Sequence, residues 1–541
     1  MRNGLLKITA FRMGEALLLF LLGFYFGVAT FCPGIWSAVF DAIPKIYKRS
    51  LNFTASGAAV LGLLLFEWAR RDAFINARCV WGRMVESMRS RSVAWSLGLF
   101  SGFGLWWAVS SCLRLEAMDA GFDMAIFTQA IWNTTQGDWF YSSIKGGISL
   151  LGDHFAPILA VFAIPYRVWP HPEFLLGMQA LAAASCVFPL ARFVRKTGQS
   201  PAWAILCCIC FALYSPVRNS VRFDFHPEVL AMPLLFWAFC FLEEKRTLLS
   251  SVFLALALAA KENIATVAFA FGVYACLKKD RSLGFGAFWI VFSAVYFYAV
   301  VHWIIPVLSG APYFYLSGNF TEWLCLGWKP LSRHVINVTT LSYVAKVYGP
   351  LAFTSFFAPL QLMLTLPTLA QNILSRSITT RSLYFQYTAT LTPFVFIASV
   401  AAMAKIRKFR RYWAYLILLT SVFLSGVSEA YPIRRNWIAI TPHTVMVREK
   451  LRSLPAEASL RTHEFYAPHA ANRKELHIFE NDHPKEGGSW KARHTDLVAI
   501  DRGLLKGSPE AALDELRASG YAVSFEQDGF YILKRAANSR Q

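Results

Sequence analysis

Charge is scarce in this chain. Only 16% of its 541 residues are Asp, Glu, Lys or Arg, where a soluble protein carries about a quarter. A water-facing globular fold for the whole chain is excluded. Cysteine stops at Cys325, which excludes a disulfide framework in the C-terminal part. Cys207-Cys208-Ile209-Cys210 superficially resembles a metal cluster. Its neighbours are apolar, and the ten cysteines read as small buried hydrophobes. The first apolar run, about 16–31, lacks a small-residue cleavage site followed by a soluble domain, so it reads as an anchor rather than a removed signal. No internal repeat is evident.

Apolar surface fills that space. The chain is 56% hydrophobic, with 46 Phe, 18 Trp and 20 Tyr. Several runs reach the roughly 17–25 apolar residues that cross a bilayer. The expected fold is an α-helical polytopic membrane protein with about eleven to thirteen apolar helices, interfacial ones included. The formal net charge of +20 is dispersed in short clusters between these runs. There it sets topology by the positive-inside rule, so the partner is the lipid bilayer and not nucleic acid.

The clusters Arg70–Arg91, Arg192–Lys196, Lys278–Arg281 and Lys405–Arg411 are expected in the cytoplasm, with the N-terminus. Lys45, Lys48 and Arg49 then fall outside, against the rule, which weakens the first two spans. Counting outward from residues 96–113, parity allows one crossing between the first outer loop and Arg192. Residues 174–190 take it, and 155–168, broken by Pro157 and Pro165, form a helix lying along the interface. Further crossings follow at 202–215, 229–242, 248–260, 264–277, 285–307, 388–404 and 412–426. Residues 351–374, with Pro359 and Pro367, are either a re-entrant pair of half-helices or a crossing. The count divides the chain into two N-terminal spans with a basic loop (1–92), a main membrane region (93–427) and an extracytoplasmic domain (428–541). The setting is the inner, cytoplasmic membrane.

The tail is α/β in pattern. Residues 459–463, 476–479 and 497–500 read as strands, and 510–519 as a helix opened by Ser508-Pro509. A hairpin joins 522–525 to 530–533 through Asp528-Gly529. His463, His469, His477, His483 and His494 read as surface histidines.

Against this apolar background, residues 118–157 stand out, with Asp119, Asp123, Asp138, Asp153 and His154 in one loop. Acids beside a membrane helix are costly unless they face water, a partner or a substrate. Four polar turns fall on the outer side: Asp119/Asp123, Asp153-His154, Asp224-Phe225-His226-Pro227-Glu228 and Lys261-Glu262-Asn263. Such groups can deprotonate an acceptor, bind a divalent cation or grip a phosphate. Singly, each has a plainer reading. Asp123 can cap a helix, Lys261 can snorkel from a helix end, and Asp224, His226 and Glu228 can form a structural turn.

Several blocks resemble a bacterial and archaeal multi-pass membrane family designated domain of unknown function 2079. They are Asp123-Met124-Ala125-Ile126-Phe127-Thr128-Gln129-Ala130-Ile131-Trp132-Asn133, Leu151-Gly152-Asp153-His154-Phe155-Ala156-Pro157, Phe223-Asp224-Phe225-His226-Pro227-Glu228 and Lys261-Glu262. The resemblance covers roughly 97–534. The architecture is also similar to the GT-C class of glycosyltransferases that use lipid-phosphate sugars. In that class the first outer loop carries the catalytic acid and contains helices along the membrane. The resemblance implies Asp123 as the catalytic base and residues 155–168 as the interfacial helix. Thr128 stands where relatives have a second acid, so a two-acid arrangement must use Asp119 or Asp153.

The implied activity is transfer of a sugar from a polyprenyl-phosphate-type donor at the extracytoplasmic face. Asp153 and His154 would contact the acceptor or, with Asp123, a divalent cation such as Mg or Mn. Lys261 would contact phosphate, and Asp224, His226, Glu228 and Glu262 would line the pocket. The alternatives are a transporter or flippase of a lipid-linked or polar substrate, and a non-enzymatic scaffold presenting the tail. The topology is directly testable: a cysteine placed at Glu486 should react with an impermeant thiol reagent from outside, and one at Lys408 should not. The reverse pattern would invert the whole assignment of sides.

Overall fold

The computed structural model describes residues 92–278, 282–321, 325, 327–406, 410–427, 439–479, 495–505 and 509–536. The first two expected spans, their basic block, and His483 and His494 lie outside the described residues.

Helix α1 (Ser92–Glu116) runs 25 residues, about 37 Å at 1.5 Å per residue. It turns Val93, Leu105 and Trp106 outward and buries Trp107, Ser111, Arg114 and Leu115. The polar loop then folds into α2 (Phe122–Thr135), a short hairpin of β1 (Tyr141–Ser142) and β2 (Ile148–Ser149), and α3 (Ala160–Val168). Nine residues cover about 13 Å and cannot cross a bilayer. Helix α3 exposes Val161, Ile164 and Val168 while burying Tyr166, the one-sided pattern of a surface helix.

Helices α4 (Pro172–Ser185) and α5 (Val187–Lys196) together make one apolar span of 25 residues. Helices α6 (Pro201–Leu213) and α7 (Ser215–Arg222) are bent by 52° at their junction. They are followed by α8 (Pro227–Glu243), α9 (Thr247–Leu258), α10 (Ile264–Leu277) and α11 (Leu283–Ala299), the last extending the apolar helix to Ser309. Among the described residues, three helices are long and apolar enough to cross a membrane, or four if the bent pair is one span. The others that the sequence marks as apolar are shorter, and α9 and α10, at 12 and 14 residues, cover only about 18–21 Å.

Close backbone packing replaces the hydrophobic effect between such helices. A Cβ on Gly272 of α10 would lie 2.7 Å from the Gly286 carbonyl oxygen of α11, and one on Gly286 would lie 2.7 Å from that of Gly272. Two helices touch there through their main chains.

Helices α12 (Trp328–Val335) and α13 (Val338–Tyr348) precede the proline-containing stretch. That stretch is not one crossing helix. It is a chain of short turns ending in α14 (Leu366–Leu374), and Ala352 and Phe353 take left-handed φ values of 52° and 55°. Helices α15 (Thr392–Lys405) and α16 (Arg410–Val427) complete the bundle.

The C-terminal layer starts with α17 (Pro442–Arg452), which the hydrophobic pattern did not reveal. Its sheet comprises β3 (Leu460–Thr462), β4 (Leu476–Ile478), β5 (Leu497–Asp501), β6 (Tyr521–Gln527) and β7 (Phe530–Arg535), in the order β4-β3-β5-β7-β6. Strands β4, β3 and β5 are parallel, and β5, β7 and β6 antiparallel. Alternation along the strands builds two faces. Leu497, Ala499, Phe530 and Ile532 pack with Val447 and Leu451 of α17. Val498, Ile500, Tyr531 and Leu533 pack under Leu513 and Leu516 of α18 (Pro509–Ala518). The β6–β7 turn places Asp528 and Gly529 at φ 52° and 77°, as a tight hairpin requires.

The tail histidines within the described residues are not at the surface. His463, His469 and His477 are 2%, 4% and 8% exposed. His469 is buried where the layer meets α1: its Nε2 donates to the Leu115 carbonyl at 3.1 Å, and its Nδ1 accepts from Arg452 at 3.3 Å. Burial first, then the Arg452 charge, pulls its pKa down to about 3.

His443 does the opposite. Its two ring nitrogens meet Asp501 Oδ2 at 2.7 Å and Asp528 Oδ2 at 2.9 Å, clamping α17 to the sheet. Burial lowers its pKa, but the Asp501 contact and then Asp528 outweigh this and raise it. A raised folded-state pKa means the clamp stabilises fully below about 6.5. That contribution is lost as pH rises through the higher folded value. Thermal unfolding of wild type and His443→Gln should therefore differ at pH 5–6 and converge at alkaline pH. A constant gap would show that the imidazolium is not what holds α17.

Candidate functional site

The site begins where α1 ends. Arg114 lies in the last turn of an apolar helix and is 4% exposed. A guanidinium buried there needs a carboxylate, and Asp224 supplies it at 2.6 Å. The other Asp224 oxygen accepts the Gly121 and Met124 N–H groups, both at 3.1 Å. Helix α2 starts from Gly121, which has no side chain to cap it. Asp224 provides that function from a distant part of the chain. The expectation that Asp224 lines the pocket is thus corrected: it is 2% exposed and committed to the scaffold. Asp119 lies on the same arginine, its Oδ2 3.8 Å from Arg114 Nε.

Asp123, one residue into α2, has its side chain 37% exposed, with Oδ2 3.4 Å from His226 Nε2. His226 Nδ1 sits 2.9 Å from the Asp224 carbonyl. An acceptor at each ring nitrogen favours the imidazolium. Burial lowers the His226 pKa, but Asp123 and then Glu228 outweigh it, and the value is raised. For Asp123 burial pushes upward, yet the His226 hydrogen bond and charge, with Lys145 and Lys261 behind them, leave its pKa below the ordinary 3.8.

The charges continue in alternation. Glu228 accepts from Lys261 Nζ at 2.6 Å, both side chains nearly buried. Glu262, fully buried, receives His154 Nδ1 at 3.0 Å, the Phe155 N–H at 2.9 Å and the Tyr313 hydroxyl at 2.6 Å. Burial raises the Glu262 pKa, but His154 and Lys261 pull it down to about 2. Asp153 pairs instead with Lys145 at 2.8 Å. The His154 ring stacks on Tyr315 at 4.5 Å.

The structure therefore brings Asp123, His226, Glu228, Lys261, Glu262 and His154 into one polar series. Asp153 joins it through Lys145, and Asp224 and Asp119 stand behind on Arg114. Asp123, Asp153 and His154 do not form a metal set. Among the described residues no group of three or more His, Cys, Asp or Glu is arranged to hold an ion. Lys145 takes Asp153 and Glu262 takes His154, so no step below passes through a metal. Sequence reasoning missed Lys145, Tyr313, Tyr315 and Arg114. Arg114 carried a signal, a charge inside an apolar run. Lys145, in a Gly-flanked turn, carried none.

This geometry sits on a recognisable architecture. ArnT from Cupriavidus metallidurans bound to undecaprenyl phosphate matches with a TM-score of 0.51 at 11% identity, over 82% of this chain and 98% of that one. The apo state of the same enzyme matches at 0.50 and 11%, over 83% and 99%. The fold is that of the GT-C class of membrane proteins, with a small C-terminal sheet. The family described as predicted membrane protein (DUF2079) matches residues 114–532. The chain belongs to that family. No curated protein matches it.

Removing one partner of a buried ion pair costs about 3–5 kcal/mol. Asp224→Ala should therefore lower the unfolding temperature sharply, whereas Asp119→Asn, at a longer and partly exposed contact, should cost under about 1 kcal/mol. Equal effects would mean Asp224 does not carry the start of α2.

Proposed function

We propose that the protein transfers a sugar from a polyprenyl-phosphate-type lipid to an acceptor at the extracytoplasmic face of the inner membrane. The observation that carries this reading is the half-exposed Asp123 carboxylate, fixed in the first turn of α2 and paired with His226. The likeness to ArnT, captured with undecaprenyl phosphate, supports a lipid-linked donor.

The chemistry asks little covalent work of the protein. The acceptor oxygen attacks the anomeric carbon as the bond to the phosphate oxygen breaks, and the leaving phosphate takes the electron pair. Asp123 accepts the acceptor's proton, and the adjacent His226 imidazolium keeps its carboxylate ionised and oriented. Lys145 and Lys261, whose charges both act on Asp123, stabilise charge growing on the phosphate. Lys261 is also the partner of buried Glu228, and Lys145 that of Asp153. Lys261→Met and Lys145→Met therefore each break an ion pair as well as a phosphate contact, and only a loss of donor affinity at unchanged folding reports the contact.

The deciding variant is Asp123→Asn, which keeps shape but loses the basic oxygen. Transfer from a lipid-linked sugar pool in membranes should fall about 10²–10⁴-fold at unchanged expression. Because the Asp123 pKa is lowered, the wild-type rate should hold flat from neutral pH down to below about 4. It should decline on the alkaline side, as His226, with its raised pKa, loses its proton. Full activity in Asp123→Asn would remove Asp123 as the base. Absence of transfer by the wild type would remove the transferase reading and favour a permeation path instead.

A further inference from the structure

Helix α2 is held at its start by a second carboxylate, and that one comes from the C-terminal layer. Glu464, just after β3, accepts the Phe122 N–H at 3.4 Å. Asp224 accepts the N–H groups on either side, from Gly121 and Met124. Asp123 sits between the two N–H groups so engaged at 122 and 124. Gly121 is what lets Glu464 come so near: a Cβ there would lie 2.9 Å from Glu464 Oε1 and 3.4 Å from its Cγ.

The contact does not end with the first turn. Ala125 is fully buried in the core of the C-terminal layer, with Leu460, Leu476 and Tyr466. A turn later, Gln129 Nε2 donates to the Arg473 and Lys474 carbonyls at 3.2 and 2.9 Å. Met124, Ile126, Phe127, Ala130 and Ile131 pack into a different core, with Phe225 and Leu230 of the membrane region. One helix, fourteen residues long, is thus shared between two hydrophobic cores.

We propose that the C-terminal layer positions the catalytic acid, with Glu464 as its positioning residue. The layer sets the height and tilt of α2, and through them where the Asp123 carboxylate meets His226 and the acceptor. Its consequence for rate rests on the transferase reading; its consequence for the helix does not. Glu464 touches no reacting atom in this scheme.

Two measurements on the purified full-length protein separate these. Amide hydrogen exchange over residues 118–127 should quicken about fivefold in Glu464→Ala, as for a lost helix cap, with α1 and the β5–β7 strands unchanged. Glu464→Gln, whose side-chain carbonyl can accept the same N–H, should restore slow exchange. Gly121→Ala, which displaces Glu464 without altering the layer, should reproduce the Glu464→Ala pattern and covers the case in which that variant fails to fold. In the transfer assay, Glu464→Ala should lower kcat about 10–100-fold, the scale of a small misplacement, with KM for the lipid-linked donor unchanged. Unaltered exchange at 118–127 in both Glu464→Ala and Gly121→Ala would overturn the proposal. Altered exchange in a protein whose wild type transfers no sugar would uphold the positioning and sink the transferase reading instead.

Discussion

The carboxylate of Asp224 is the contact on which the site depends. It neutralises Arg114, a guanidinium buried at the end of a membrane helix, and with its other oxygen holds N–H groups at the start of α2. Both needs are severe in a low-dielectric interior. An unpaired buried arginine is costly, and so are helix N–H groups with no acceptor. One side chain meets both because α1, α2 and the segment before α8 converge there. The Asp224 carbonyl also orients His226, so the residue that fixes the acid's helix fixes its partner too.

Around that point acids alternate with bases. Asp123 faces His226, Glu228 faces Lys261, and Glu262 faces His154. Such a series tolerates burial because each group lowers its neighbours' desolvation cost. It stays open at one end, where Asp123 is the most exposed of these acids. A site built in this way needs a rigid frame, and the frame here is double. Helix α2 is wedged between the membrane core and the core of the sheet layer. Arg448 and Arg452 of α17 tie that layer to Glu116 and Glu173 on the helices below.

Much of this was legible in the order of the residues. The scarcity of charge and the length of the apolar runs determined a membrane protein, since lipid admits few other solutions. Period-two alternation and Asp528-Gly529 marked the strands and hairpin of the tail, because side-chain direction along a strand is a local property. Polar turns at helix ends marked the site for a similar reason: charge beside lipid must serve a purpose.

Which partner each polar residue took was decided only by the tertiary structure. Asp224, His226 and Glu228 alternate within five residues, yet they serve the scaffold, the acid and the lysine respectively, as three different elements approach them. The histidines at 463, 469 and 477 read as surface residues from composition, and are buried, His463 among Tyr466 and Phe479 inside the layer and His469 where the layer meets α1. Helix α17 escaped notice although Thr441 caps it and Pro442 opens it, because its apolar face is short and is completed by the sheet it covers. Local sequence specifies periodicity and composition; partners are set by contacts hundreds of residues apart in the chain, such as Phe122 with Glu464, and no local pattern encodes them.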